Sequence, residues 1–430
     1  MEDLVESLSA RAAALRLLGA ALGGRRGLEG ALAATEFRRL PARDRAFARA
    51  LVMMTLRQLG PIDRALDARL SREPPRPVRD ILRLGAAQAW FMGTPDFAAV
   101  STSVDLAPRN FRALVNAVMR RLARERAPGS NGEDLAPPWL LARWRAAYGP
   151  EAASRIAAQI GAEPQTDLTP CSPPDTSLIE SLEAQALPGG TLRTGRRGDP
   201  AAWPGYAEGD WWVQDAAAAI PARLLAARSG ETALDLCAAP GGKTLQLASA
   251  GAKVTALDRS AGRARRIATG LKRTGLAAEL VVADALAWTD GRRFDAVLLD
   301  APCSGTGTFR RHPDVLWNVR PNDIAALAGV QSRLLAAAAD RVRSGGRLIF
   351  SVCSLEPEEG EAQVDEFLRS RPDFELCAIE AGEGGAPAES LAAGGWLRIL
   401  PFQRDGGLDG FFIARFSRRR TLTCGALLAS

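Results

Sequence analysis

The chain has 430 residues, of which 47% are hydrophobic and 24% charged, enough for two or three domains with large buried cores in a soluble globular protein. No apolar run approaches the roughly 20 residues that span a bilayer, and the opening MEDLVESLSARAAALRLLGAAL carries acids where a secretory leader needs bases, so a cytoplasmic protein is expected. The net charge of +6 favours a polyanionic partner such as nucleic acid, although arginine supplies nearly all of it and composition bias explains it equally well.

Over residues 1–130, ARAAALRLLGAAL, ARDRAFARALVMMTLRQL, PVRDILRLGAAQAWFM and NFRALVNAVMRRLARE repeat apolar positions at three- and four-residue spacing. These predict an all-helical domain, with Gly60-Pro61 and SREPPRP as breakers. Residues 131–205 read as a linker followed by a mixed middle subdomain of unclear element order. From about residue 206 to 420, short apolar runs alternate with helical stretches, the pattern of a doubly wound α/β sheet. Strands are expected near 233–236, 254–257, 280–282, 296–299 and 348–352. WLRILPF and GFFIARF should close the domain as a hairpin or as paired edge strands.

The first of these strands runs into a glycine-rich turn, DLCAAPGGKT, where Gly241 and Gly242 free the backbone for close approach by a ligand. It is not the GxGxxG dinucleotide pattern. The next strands end at Asp258, Asp284 and Asp300. An acid at Asp258 is placed to accept hydrogen bonds from ribose hydroxyls. Each acid alone is ordinarily a cap, but strand after strand delivering a polar residue to the same sheet edge argues for a ligand site.

Two cysteines follow strand ends: Cys303 in LLDAPCSGTG and Cys353 in FSVCSLEPEE, fifty positions apart. A parallel sheet brings its strand ends to one crevice, so both thiols can face one bound ligand. Glu356, Glu358 and Glu359 would oppose ionisation of Cys353 if they faced its sulfur. Cys171, Cys377 and Cys424 lack motif context and read as small hydrophobes. With six cysteines, no CxxC pair and one histidine, His312, neither a disulfide framework nor a metal site is expected. His312 either binds phosphate or makes a loop hydrogen bond, and Trp317 either packs in a core or covers a base.

The series DLCAAPGGKT, LDRS, LLDAPCSGTGTFRRHPDVLW, SVCSLEPEE and DGFF resembles the motif order of the Nol1/Nop2/Sun family, the S-adenosylmethionine-dependent RNA cytosine-5 methyltransferases, over residues 206–418. The helical portion, with VNAVMRR, is similar to NusB-like RNA-binding domains. That pairing resembles the bacterial Sun/Fmu type, which modifies a cytosine of small-subunit (16S) ribosomal RNA. The resemblance implies a Rossmann-like catalytic domain. It implies S-adenosylmethionine held by Cys237, Ala238, Ala239, Pro240, Gly241, Gly242, Lys243, Asp258, Asp284 and Asp300. It also implies Cys353 as the nucleophile, Cys303 as the group assisting release, and Asp300 as a contact to the cytosine ring. Val352 stands where the family more often has threonine, and EPQTDLTP lacks the family's RVN-like sequence.

Three other readings compete: transfer RNA as substrate, an amine methyltransferase, and a non-enzymatic assembly factor. The second would carry an NPPY-like motif where this chain has DAPC. The intact Lys243, Asp300, Cys303 and Cys353 oppose the third. A monomer is the expected oligomeric state.

Overall fold

The computed structural model describes residues 2–23, 27–125 and 127–420. The chain divides into two compact units, Met1–Glu163 with Phe309–Val319, and Pro164–Thr308 with Arg320–Ser430. Residues 131–163 fall in the first unit and 164–205 in the second.

The first unit is helical. Its apolar spacing buries Leu17, Leu51, Leu56, Ile62, Leu82, Val115, Met119 and Leu122 in one core. SREPPRP interrupts the chain as expected, and Pro75 caps the helix Arg76–Phe91. Gly60-Pro61 behaves differently. Both lie in the first turn of the helix Leu59–Asp67, where a missing amide costs nothing, and the break falls one step earlier, at Gln58. The helix Pro138–Ala158 bends at Gly149, whose φ of 82° no other residue adopts cheaply. The segment Phe309–Val319 returns to this unit, stacking Phe309 on the fully buried Trp144 with ring centroids 6.0 Å apart. Trp317 packs against the same core, and its indole nitrogen donates to the Leu56 carbonyl at 3.2 Å. Of the two roles expected for Trp317, core packing is the one observed.

The second unit begins with a four-stranded antiparallel sheet, β1 (Thr166–Pro170), β2 (Ala184–Ala186), β3 (Leu192–Thr194) and β4 (Trp211–Val213), in the order β2-β3-β1-β4. EPQTDLTP thus supplies one of its two inner strands. In this sheet Arg193 donates to both carboxylate oxygens of Asp167 at 2.7 and 2.8 Å, with both side chains buried.

The larger sheet follows: β5 (Thr232–Leu236), β6 (Lys253–Asp258), β7 (Glu279–Val282), β8 (Phe294–Asp300), β9 (Val342–Val352), β10 (Phe374–Leu376), β11 (Leu397–Ile399) and β12 (Phe411–Arg418). Its order is β10-β12-β9-β8-β5-β6-β7, with β11 also paired to β12. Strands β5 to β9 pair in parallel and β12 joins β9 antiparallel. WLRILPF and GFFIARF do pair, but β12 is no edge strand, because β9 lies on one side and β10 and β11 on the other. Its composition explains this: Phe411, Phe412, Ile413, Ala414 and Phe416 are all buried, as a strand covered on both faces requires. After β5 the chain builds outward through β6 and β7, then crosses back to place β8 on the other side of β5. This reversal opens a crevice at the carboxyl ends of β5 and β8, the usual ligand position in such sheets.

Candidate active site

Sheet register assembles the site. Asp300 at the end of β8 lies opposite Ser351 in β9, and the Ala301 amide donates to the Ser351 carbonyl at 2.9 Å. Each strand then runs on two or three residues to a cysteine, which brings Cys303 Sγ to 3.4 Å from Cys353 Sγ. The two loops are stitched together, since the Gly307 amide donates to the Cys353 carbonyl at 3.0 Å and the Gly410 amide donates to the Gly307 carbonyl at 2.8 Å. A Cβ on Gly307 would sit 2.1 Å from the Gly410 carbonyl oxygen, so this approach needs glycine. The DGFF motif therefore serves the cysteine loops directly.

Asp300 connects the thiols to the glycine-rich turn. One carboxylate oxygen accepts from Lys243 Nζ at 2.7 Å and the other from Ser351 Oγ at 2.9 Å. Lys243 lies on the helix Gly242–Ser249 that leaves the turn. Gly241 has φ of 111°, and a Cβ there would press on Ile267 at 3.2 Å. Asp258 is buried and accepts from the Ala239 and Ser260 amides at 3.1 and 2.9 Å, which fixes the turn against β6. Asp284 is exposed and accepts from the Leu286 amide at 3.0 Å, as a turn cap does.

Sequence reading overlooked Asp235, buried inside β5 one strand step below the turn. Thr244 Oγ1 donates to one of its oxygens at 2.6 Å, while the other has no hydrogen-bond partner. Burial raises its pKa to about 7, and Asp300 and Asp258 add to the effect against Lys243. The signal was an acid in the apolar run TALDL. Burial, then Asp300, Asp258 and Asp235, also push the Cys237 thiol up to about 12. Asp235, Asp258 and Asp300 gather here with two cations, since Lys243 pairs with Asp300 and Arg263 lies 3.6 Å from Asp258. The partly exposed Asp300 carboxylate, beside the glycine-rich turn, fits a cationic ligand bearing ammonium and sulfonium groups.

Cys303 is held firmly as a thiol. The hydrogen bond to Cys353 is the largest cause, followed by burial, the charge of Cys353 and that of Glu359. Glu356 and Glu359 are fully buried and Glu358 is exposed. Val352 faces the hydrophobic core with Phe350, two positions earlier on the same face of β9. His312 belongs to the first unit, where dehydration, then Arg311 and Arg49, hold its imidazole below the usual range. Cys171 packs among apolar neighbours, and Cys424 lies outside the described residues. Among the described residues no group of three His, Cys, Asp or Glu side chains could hold a metal ion, and no helix is long and apolar enough to cross a membrane.

Comparison with known proteins bears on the family and the fold. Residues 222–417 match the family model for 16S rRNA methyltransferase RsmB/F, and residues 8–124 match the NusB family. The ribosomal RNA small subunit methyltransferase B of Thermus thermophilus is 38% identical over 383 residues, covering 88% of this chain and 90% of that protein. The chain belongs to the RsmB/F methyltransferase family. The RsmB/F assignment extends over nearly the full length, since the Xylella fastidiosa (strain Temecula1) methyltransferase B is 36% identical across 95% of this chain and 98% of its own. Among solved structures, the protein PH0851 superposes with a TM-score of 0.76 at 24% identity, covering 94% of this RsmB/F chain and 98% of its own, which shows a shared fold. NSun6 from Pyrococcus horikoshii, solved with SFG, gives a TM-score of 0.59 at 20% identity over 66% of this chain and 99% of its own.

Proposed function

We propose that this RsmB/F methyltransferase methylates carbon 5 of a cytosine in small-subunit (16S) ribosomal RNA through a covalent adduct on Cys353, with S-adenosylmethionine as methyl donor. The observation that carries the reading is the meeting of Cys303 and Cys353, 3.4 Å apart, beside the Lys243–Asp300 pair. The turn Cys237–Lys243 with Asp235, Asp258 and Asp300 would hold the cofactor, and Asp284 lies at the next strand end. When bound, S-adenosylmethionine supplies an electrophilic methyl group.

Carbon 5 of cytosine is a poor nucleophile. The Cys353 thiolate adds to carbon 6, forming a C–S bond and pushing the ring electron pair onto carbon 5, which then takes the methyl group. The Asp300 carboxylate would contact the cytosine ring and stabilise its protonated form during the addition. Conversion of Cys353 to a thioether removes both its hydrogen bond and its charge from Cys303, two of the causes that keep Cys303 protonated. Cys303 then loses its proton to solvent and serves as the base that takes the proton from carbon 5. The electrons of that C–H bond restore the double bond, the C–S bond breaks, and Cys353 leaves as thiolate. Because carbons 5 and 6 are shielded in a stacked helix, the substrate is an unpaired or extruded cytosine.

Bisulfite sequencing of ribosomal and transfer RNA from cells with and without the protein tests this, with Cys353→Ala as the complementing variant. Loss of one small-subunit methylcytosine, unrestored by Cys353→Ala, is the expected result. Loss from transfer RNA instead would change the substrate, and full restoration by Cys353→Ala would overturn the nucleophile.

A further inference from the structure

Glu359 has no solvent exposure, and among the described residues no cation pairs with it. Neutral donors replace the cation. One oxygen accepts from the Ser304 amide at 2.9 Å and from Gln331 Nε2 at 3.0 Å; the other accepts from Ser304 Oγ and Ser354 Oγ, both at 2.5 Å. Ser304 immediately follows Cys303 and Ser354 immediately follows Cys353. Gln331, on the helix Pro321–Asp340, also donates to the Pro302 carbonyl at 2.9 Å, so both neighbours of Cys303 are tied to this one carboxylate.

We propose that Glu359 is the positioning residue that sets the approach of the two cysteine loops, and with it the transfer of roles between Cys353 and Cys303. This rests on the covalent reading given above. A buried carboxylate without a cation is costly, and a loop that needed only to be filled would be better served by an apolar side chain. What the carboxylate adds is a two-oxygen acceptor that can hold donors from both loops at once. Its charge also faces Cys303 and adds to what keeps that thiol protonated, behind the Cys353 hydrogen bond, burial and the Cys353 charge. From the opposite side Arg398 donates to the Ser354 carbonyl at 2.6 Å while pairing with Glu361, so the residue after Cys353 is held at both its side chain and its backbone.

The test uses the full-length protein, S-adenosylmethionine and transcribed 16S RNA in single turnover, with the RNA adduct followed on denaturing gels. Glu359→Gln keeps the shape but loses one acceptor and the charge. It should slow adduct resolution about tenfold or more, the scale of an ångström misplacement. Cofactor affinity should stay within about twofold, because Glu359 does not touch the turn, and the pH for half-maximal alkylation of Cys303 should fall. A variant that forms and resolves the adduct at the wild-type rate, or whose Cys303 profile is unmoved, overturns the proposal. Should Glu359→Gln fail to fold, Ser304→Ala and Ser354→Ala each remove one donor and should each slow resolution about threefold or more. Wild-type resolution in both would overturn it equally. Cys353→Ala, run in parallel, separates the levels: methylation surviving in that variant defeats the covalent reading, whereas its loss beside a normal Glu359→Gln defeats only the positioning role.

Discussion

Cys303 Sγ and Cys353 Sγ lie 3.4 Å apart, within hydrogen-bond reach of each other. The Cys303 thiol is raised first by the hydrogen bond to Cys353. Removing that partner must therefore lower it. In Cys353→Ala, alkylation of Cys303 by iodoacetamide at pH 8 should be faster than in the wild type, because a larger share of the thiol is then ionised. Mass spectrometry of the labelled peptide reads this directly, and an unchanged or slower rate would contradict the coupling.

Asp235 predicts a stability profile. Its folded pKa of about 7 exceeds the unfolded value of about 3.9, so the native state binds the extra proton. Stability from this group is greatest below about pH 4 and declines as pH rises from there through about 7. Asp235→Asn removes the ionisation while its carbonyl still accepts from Thr244. Urea denaturation should show the variant gaining about 1–3 kcal/mol over wild type at pH 8 and little at pH 4. Equal differences at both pH values would refute the assignment.

Gly307→Ala drives a methyl group onto the Gly410 carbonyl, 2.1 Å from the ideal Cβ position. The backbone must shift, at a cost of about 1–3 kcal/mol. Because Gly307 also donates to the Cys353 carbonyl, that shift reaches the thiol. Methyl transfer should fall about a hundredfold with cofactor affinity nearly unchanged, measured by single-turnover assay beside calorimetry.

Arg193→Met leaves the buried Asp167 without its bidentate partner. Burial already raises the Asp167 carboxyl, opposed by Arg193. Loss of the arginine should destabilise the second unit by about 3–5 kcal/mol in urea titration at pH 7, and less at pH 4, where the orphaned acid protonates. A loss below about 1 kcal/mol at pH 7 would mean that water or Arg404 compensates.

Much of this protein was legible along the chain. Helical periodicity over the first 125 residues, the strand starts from 232 onward and the turn at Gly241-Gly242 are local properties, set by spacing, apolar runs and backbone freedom. So were the two cysteines and Asp300, because their neighbours form recognisable motifs. Other features depended on what packs against what. The segment Phe309–Val319 lies between the two cysteine motifs in sequence yet folds with the helical unit, since Phe309 and Trp317 pack their rings there. GFFIARF became an inner strand because β9 offered a free edge on one side while β10 and β11 covered the other.

The sequence by itself determined the inventory: two cysteines, a lysine and a set of acids placed at strand ends. Only the tertiary structure decided how they combine. Parallel pairing of Asp300 with Ser351 sets the cysteine separation, the reach of Lys243 joins the turn to the thiols, burial raises Asp235, and the hydrogen bond from Cys353 together with burial holds Cys303 as a thiol. The reason is physical: strand propensity and turn chemistry act over a few neighbouring residues, whereas register, burial and charge coupling arise between groups fifty or more positions apart and exist only once the sheet has closed.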